Sequence, residues 1–79
     1  MRLDKYLKVS RIIKRRTIAN EACDAGRVKI NGRVAKASAD VKTGDRIDIE
    51  FGNKNVSIEV TQVVESTKKE DAKEMYKYL

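Results

Sequence analysis

The stretch that decides the fold covers residues 2–32 and reads RLDKYLKVSRIIKRRTIANEACDAGRVKING. At its start, Leu3, Tyr6 and Leu7 stand at positions i, i+3 and i+4, so they share one face of a helix. Cationic residues occupy most of the remaining positions around that helix. The chain therefore begins with an amphipathic helix whose polar side carries positive charge.

The segment KRRT at residues 14–17 separates this helix from a second one. Thr17 is the predicted N-cap of the second helix, because a threonine hydroxyl accepts hydrogen bonds from the free N–H groups of a helix start. Ile18 and Ala22 have the spacing of its apolar face, and Gly26 stands where a left-handed residue ends a helix. The stretch thus predicts two short helices joined by a strongly basic connection.

Beyond the second helix the apolar residues alternate with polar ones, which is typical of β-strands. Asn31-Gly32 is the strongest hairpin signal in the chain, since both residues tolerate the positive φ of a two-residue turn. Further alternating runs at residues 46–51 and 56–60 predict two more strands, and residues 63–64 could prolong the last one. These runs predict a small antiparallel sheet.

The end of the chain is expected to be a helix. Thr67 and Glu70 have the spacing of a capping box, and apolar residues follow at i, i+3, i+4 and i+7. These apolar residues are Ala72, Met75, Tyr76 and Leu79. Their common face would pack on the rest of the domain.

The order of these elements predicts the α+β class. We expect a single small domain over residues 1–79, in which two N-terminal helices pack on a small antiparallel β-sheet and a short C-terminal helix follows. The predicted parts are a core at residues 2–51, an additional hairpin strand at 52–65 and the C-terminal helix at 67–79.

The composition limits the classes of protein to which the chain can belong. A chain of 79 residues, of which 41% are hydrophobic, can form one small domain but not two. With no long apolar run and one cysteine, we expect no signal peptide, no membrane span and no disulfide framework, and hence a cytoplasmic protein. Cys23 stands among alanines at helical spacing and is expected to be a small buried thiol.

The net charge of +6 is distributed unevenly along the chain. Residues 1–36 contain eleven cations against three acids, a balance of +8, whereas residues 37–79 contain seven cations against nine acids, a balance of −2. A domain with one basic side attracts a polyanion to that side. The alternative, that the cations only keep a small protein soluble, does not require such a one-sided distribution.

The basic residues are expected to form a wall that binds RNA phosphates. Its centre is the segment at residues 14–17, beside a helix N-terminus whose free N–H groups attract phosphate. The candidate RNA contacts are Arg2, Lys5, Lys8, Arg11, Lys14, Arg15, Arg16, Thr17, Asn20, Lys29, Asn31 and Lys36. The chain has only four aromatic residues, which disfavours base stacking and favours the backbone and shape of double-helical RNA.

Four short motifs together resemble a known RNA-binding family. The motifs are Arg2-Leu3-Asp4, Arg16-Thr17, Gly26-x-Val28-x-Ile30-Asn31-Gly32 and Val41-x-x-Gly44-Asp45. Over residues 2–51 the chain resembles the domain named after ribosomal small-subunit protein four, the S-four domain. The common pattern has serine where this chain has Thr17, a change that keeps the hydroxyl. The family's RNA-contacting role carries over most firmly to Arg2 and Arg16, which lie inside the motifs.

The length of the chain favours a stand-alone member of this family, because 79 residues leave no room for a second, catalytic domain. The chain also has no histidine, so the commonest general base is missing. We therefore expect no enzyme: no catalytic residue, no metal site and no cofactor. Among stand-alone members, the whole chain is similar to the RqcP family of ribosome-associated quality-control factors.

That similarity implies a set of partners. It implies binding to large ribosomal subunits obstructed by peptidyl-tRNA, through both large-subunit rRNA and the tRNA. It also implies support, with RqcH as a further partner, of C-terminal alanine tailing of stalled nascent chains. We expect a monomer that binds no membrane. From the residues alone Asp4 is expected to be structural, because it suits the positive end of the helix dipole and can pair with Lys8, whereas the resemblance implies that Asp4 orients a neighbouring arginine.

Three alternatives stay open at this point. The first is a general rRNA-binding factor of the ribosome-recycling or heat-shock type. The second is a protein-interaction adaptor that docks on a partner through the apolar stripe of the C-terminal helix. The third is a small RNA-modifying enzyme, although the usual catalytic groups are missing.

Overall fold

Two short helices open the chain, as the sequence predicts. The structure is a computed structural model that describes residues 1–65 and 67–79. Helix α1 spans Leu3–Val9 and helix α2 spans Arg16–Asp24. The two helices pack against each other and are joined by the basic connection.

The start and the buried face of α2 differ from the sequence prediction. Arg15 has extended backbone, with φ −120° and ψ 133°, and is the N-cap, so Thr17 lies inside the first turn and is not the cap. The buried residues of α2 are Ala19 and Cys23, whereas Ile18 is 48% exposed. Packing against α1 and the sheet sets the rotation of this helix, because an apolar stripe made mostly of alanine constrains it only weakly.

Over residues 1–65 and 67–79, five strands form one sheet. They are β1 (Val28–Ile30), β2 (Arg33–Val34), β3 (Arg46–Phe51), β4 (Lys54–Val60) and β5 (Tyr76–Tyr78). Their order is β2-β1-β3-β4-β5, and every neighbouring pair is antiparallel. The predicted antiparallel sheet is confirmed, although residues 63–64 follow the end of β4 and do not prolong it.

The predicted turns are present. Asn31 and Gly32 have φ of 51° and 84°, and Ile30 pairs directly with Arg33 across them, as in a two-residue hairpin. Gly26 follows α2 with φ of 75°, the left-handed conformation expected beyond a helix end.

The predicted C-terminal helix over residues 67–79 is wrong for most of its length. A 3-10 helix covers Lys69–Glu74, after which the chain becomes extended and pairs with β4 as β5. Met75 lies between the 3-10 helix and β5 and is fully buried, and its carbonyl accepts a hydrogen bond from the hydroxyl of Tyr6 at 2.6 Å. Strand pairing satisfies backbone groups along the edge of β4, which a further turn of helix would not do.

One apolar layer lies between the two helices and the sheet. Its largest members are Leu3, Tyr6, Leu7, Ile47, Ile49 and Ile58, each at most 1% exposed. Alternate strand residues point to opposite faces, so Lys29, Asp48 and Ser57 share the face away from the helices. The α+β class is confirmed. Within the part of the chain that the structure describes, no helix is long and apolar enough to cross a membrane.

Candidate nucleic-acid interface

A groove with positively charged walls runs between α1, the connection after α1 and the segment that follows β4. Its volume is about 770 Å³. The cationic side chains that line it are Lys5, Lys8, Arg11, Lys14, Arg16 and Lys69. Glu65 is the one carboxylate in the described lining, so six cations against one acid leave a net of five positive charges. This space and charge suit the phosphodiester backbone of a nucleic acid.

The groove unites predicted residues from two helices and the connection between them. Five of its six cations, all except Lys69, are among the candidate RNA contacts of the sequence analysis. Because α1 and α2 pack against each other, charges that are spread over residues 5–16 face one space. Their contact with RNA stays a prediction.

Arg11 reaches the groove from a strained backbone conformation. Its φ is 64°, in the left-handed region that side chains larger than glycine rarely adopt. It directly follows Ser10, the C-cap of α1, and its N–H donates to the carbonyl of Lys8 at 3.0 Å. Glycine would end the helix here without strain. An arginine in this position therefore suggests a use for its side chain.

A buried carboxylate holds two of the predicted arginines. The side chain of Asp4 is 3% exposed; its Oδ1 accepts a hydrogen bond from Nε of Arg2 at 3.1 Å, and its Oδ2 lies 3.4 Å from Nε of Arg16. Nδ2 of Asn20 donates to Oδ2 at 3.3 Å, and the backbone N–H of Lys5 donates to Oδ1 at 2.8 Å. Asp4 thus orients neighbouring arginines, as the resemblance implies.

Asp4 stays ionised despite its burial. Burial alone would raise the pKa of its carboxyl, but hydrogen bonds from Arg2, Asn20 and Arg16 outweigh that effect and lower the pKa below its ordinary value of 3.8. The predicted pairing of Asp4 with Lys8 is wrong, because these partners saturate both oxygens and Lys8 lines the groove instead.

Arg16 connects this network to the groove. Its side chain is 48% exposed and lines the groove, and it also borders a shallow depression with Asp4, Thr17 and Asn20. Arg2 is 51% exposed and is held by the same carboxylate. A guanidinium fixed on one side by a carboxylate keeps other N–H donors for a phosphate.

Two predicted contacts lie near these groups but outside the described groove lining. Arg15 is exposed and precedes α2, while its neighbours Lys14 and Arg16 both line the groove. Lys36 is exposed in the loop after β2, next to Ala37, whose carbonyl accepts the backbone N–H of Asp4 at 3.1 Å. Both cations are therefore sequence neighbours of residues that contact Asp4, and neither is in the described lining of the groove.

The two hairpin residues are farther from the groove. Lys29 projects from the sheet face opposite the helices and is in register with Asp48. Asn31 fastens the hairpin to β3: its Nδ2 donates to Asp45 at 3.1 Å and its Oδ1 accepts the N–H of Arg46 at 2.9 Å. The structure does not bring these residues together with the cations of the groove.

Sequence reasoning missed the wall that the segment after β4 contributes. Glu65, Thr67 and Lys69 line the groove, and Lys5 forms an ion pair with Glu65 across it. Lys5 and Glu65 are 60 positions apart. No periodicity or motif in the sequence links them, and the sequence pattern predicts Lys69 to lie in a terminal helix. Only the tertiary fold reveals this wall.

Cys23 is a buried thiol, as predicted. It is 3% exposed, and burial, together with the charges of Asp4 and Asp24, raises the pKa of the thiol to about 11. It is therefore protonated at neutral pH and weakly reactive. Over residues 1–65 and 67–79, no group of three or more His, Cys, Asp or Glu side chains could hold a metal ion.

One domain family matches more than half of the chain, and two named relatives match its whole length. The S4 domain family, which is the S-four family that the motifs resemble, matches residues 1–47. A protein of Streptococcus pneumoniae named RQC P-site tRNA stabilizing factor is 58% identical over 79 residues, which cover 100% of this chain and 90% of that protein. A Bacillus subtilis protein of the same name is 57% identical over 79 residues, covering 100% of this chain and 92% of that protein.

A solved structure confirms the architecture. The trimeric structure of heat shock protein 15 from Vibrio cholerae matches with a TM-score of 0.92 and 29% identity, covering 100% of this chain and 81% of that chain. The S4 match contains Arg2, Asp4 and Arg16, the three side chains that meet at the buried carboxylate. By this match and by its identity to full-length relatives, the chain belongs to the S4-domain family and, within it, to the family of the RQC P-site tRNA stabilizing factors.

Proposed function

We propose that this protein binds folded RNA as a ribosome-associated quality-control factor and stabilises a P-site tRNA on the large ribosomal subunit. The main support is the groove, in whose described lining six cations and one carboxylate face a common space. Phosphate contacts dominate the affinity of proteins for RNA. The name of its close relatives, RQC P-site tRNA stabilizing factor, supports the tRNA as ligand.

In detail, the protein binds large-subunit rRNA and peptidyl-tRNA on obstructed subunits and supports C-terminal alanine tailing together with RqcH. It acts by positioning RNA, without a catalytic residue, metal or cofactor, and it works in the cytoplasm as a monomer. Residues 2–51 supply most of the RNA contacts of a single domain over residues 1–79. Arg15, Lys29, Asn31 and Lys36 contribute outside the groove.

Co-sedimentation with large ribosomal subunits tests this proposal. The protein should sediment with subunits that carry peptidyl-tRNA and much less with vacant subunits. Lys14→Glu should lower the bound fraction several-fold, since it places a negative charge in the groove at an exposed side chain whose replacement should cost the fold little. Lys77→Glu, on the outer face of β5, is the matched control and should bind normally.

A heat-shock type of function is the second candidate, favoured by the TM-score of 0.92 to heat shock protein 15. It predicts equal binding to large subunits with and without peptidyl-tRNA, so the same sedimentation experiment separates the two. The relative's structure is trimeric, whereas we propose a monomer. Analytical ultracentrifugation of the free protein decides that point.

The adaptor hypothesis loses its main argument. It requires an exposed apolar stripe on a terminal helix, but Ala72 and Met75 are 4% and 0% exposed and pack in the interior. Deleting residues 67–79 would remove these side chains together with β5, so that deletion would damage the fold. The small-enzyme hypothesis has no supporting observation, and turnover of RNA by the purified protein would be needed to revive it.

A further inference from the structure

The segment after β4 forms one wall of the basic groove, although it lies outside the S4 match at residues 1–47. It contributes Glu65, Thr67 and Lys69, which we call the second wall. The first wall consists of α1, the connection after it and Arg16 at the start of α2. A bound phosphodiester strand would therefore be contacted from two sides instead of one.

We propose that the second wall is an RNA-binding element in its own right, in which Lys69 contacts a phosphate and Glu65 competes with phosphate for Lys5. This inference rests on the proposed RNA-binding function and adds to it a site outside the S4 domain. Its ligand is the phosphodiester backbone of folded RNA, recognised by charge and shape and not by base sequence.

The ion pair between Lys5 and Glu65 can be displaced by a phosphate at little cost to the stability of the fold. The side chain of Glu65 is 77% exposed and that of Lys5 is 36% exposed, so solvent screens their attraction and the pair stabilises the fold little. The hydrogen bond from Lys5 lowers the pKa of Glu65, so the carboxylate is ionised at neutral pH. A phosphate entering the groove can take its place at the ammonium group.

Two adjacent lysines provide a matched comparison. Lys69 is the first residue of the 3-10 helix and lines the groove. Lys68 lines a different depression, which it shares with Asp71 and Glu74. Reversing either charge changes the net charge of the protein equally, but only Lys69 lies among the cations that face the proposed RNA.

The first experiment measures the affinity of Lys69→Glu and Lys68→Glu for a fluorescently labelled tRNA transcript and for large subunits bearing peptidyl-tRNA, over a series of salt concentrations. Lys69→Glu should weaken binding several-fold and reduce the magnitude of the log–log salt slope by about one, the loss of one phosphate contact. Lys68→Glu should change both quantities much less.

The second experiment removes the competing carboxylate. Glu65→Gln frees Lys5 and should strengthen binding to the same two probes several-fold, with a steeper salt slope. Glu70→Gln removes one negative charge at an exposed position of the 3-10 helix and serves as the control. Thermal unfolding of each variant should match that of the parent, because all four substituted side chains are exposed.

The outcomes separate this inference from the proposed function. If Lys69→Glu behaves like Lys68→Glu while Lys14→Glu still loses binding, the second wall is not an RNA-binding element but the proposed function survives. If Lys14→Glu also binds normally, both are overturned. Equal affinities of Glu65→Gln and Glu70→Gln would overturn the competition between Glu65 and phosphate.

Discussion

Single residues organise the site through one buried carboxylate. Burying an ionised group is unfavourable unless charged or polar partners compensate it. Asp4 obtains this compensation from Arg2, Arg16 and Asn20, two of which are half-exposed cations. The contacts that compensate the buried charge of Asp4 therefore also fix the orientation of Arg2 and Arg16. The same contacts should thus contribute both to the stability of the fold and to RNA binding.

Asp4→Asn should lower both the stability of the protein and its affinity for RNA. At neutral pH we expect a loss of about 1–2 kcal/mol in the free energy of unfolding, because the arginines lose their ion pairs with the carboxylate and an amide –NH2 group replaces one acceptor oxygen. The lowered pKa of Asp4 means that its contribution is present above about pH 4 and is lost as the pH falls through the folded-state value.

Urea denaturation of parent and variant between pH 2 and pH 7 measures this effect. The two proteins should differ at neutral pH and converge in acid. A difference that does not change with pH would show that the charge of Asp4 contributes nothing. The affinity of Asp4→Asn for tRNA should fall as well, since Arg2 and Arg16 lose their common anchor.

Arg11 is expected to lower the stability of the fold while it strengthens RNA binding. Arg11→Gly relieves the strain of a φ of 64° and should raise the free energy of unfolding by about 0.5–1 kcal/mol. It also removes one cation of the groove and should weaken RNA binding several-fold. Chemical denaturation and tRNA binding measure the two effects. Arg11→Lys keeps both charge and strain, and a loss of stability in Arg11→Gly would contradict this account.

At the scale of elements, α1 contacts the segment after β4 at two places. The hydroxyl of Tyr6 donates to the carbonyl of Met75, and Lys5 pairs with Glu65. The same carbonyl accepts the backbone N–H groups of Thr61 and Gln62 at 2.8 and 3.1 Å. These bonds place the segment after β4 beside the groove, so an element outside the S4 match helps to shape the candidate interface.

Tyr6→Phe tests this connection. Removing the buried hydroxyl should cost about 1 kcal/mol, a typical value for one hydrogen bond, because the Met75 carbonyl keeps its two backbone partners. Hydrogen exchange should accelerate at the amides of Thr61 and Gln62. Tyr78→Phe, at a side chain 71% exposed, is the control and should leave stability unchanged. Unchanged exchange in Tyr6→Phe would contradict the coupling.

For the molecule as a whole, the two faces differ in charge. The helix side carries the groove with its net of five positive charges. The outer sheet face pairs three cations with three acids, which are Lys29, Arg46, Lys77, Asp48, Glu50 and Glu59. Ion pairs at 3.3 Å (Arg46 with Asp48) and 3.8 Å (Lys77 with Glu59) neutralise this face further. RNA should therefore be drawn first to the groove on the helix side.

The affinity for RNA should depend steeply on salt. If about four to six phosphates are neutralised, the logarithm of the association constant should fall against the logarithm of salt concentration with a slope of roughly −3 to −5. Fluorescence anisotropy with labelled tRNA measures this slope. Lys77→Glu should leave it unchanged, and a flat response of the parent protein would contradict a phosphate-binding groove.

The sequence alone determined what depends on neighbouring residues: the two helices, the hairpin at Asn31-Gly32, the alternating strands, the uneven charge and the motifs of the family. Periodicity, turn chemistry and charge counts are local properties, so they can be predicted without a structure. The tertiary structure decided what depends on distant residues. It set the rotation of α2, turned the chain after Met75 into a strand, and brought Lys69 and Glu65 across from Lys5. Those outcomes depend on which surfaces remain unpaired once the core has packed, and a single local stretch carries no information about them.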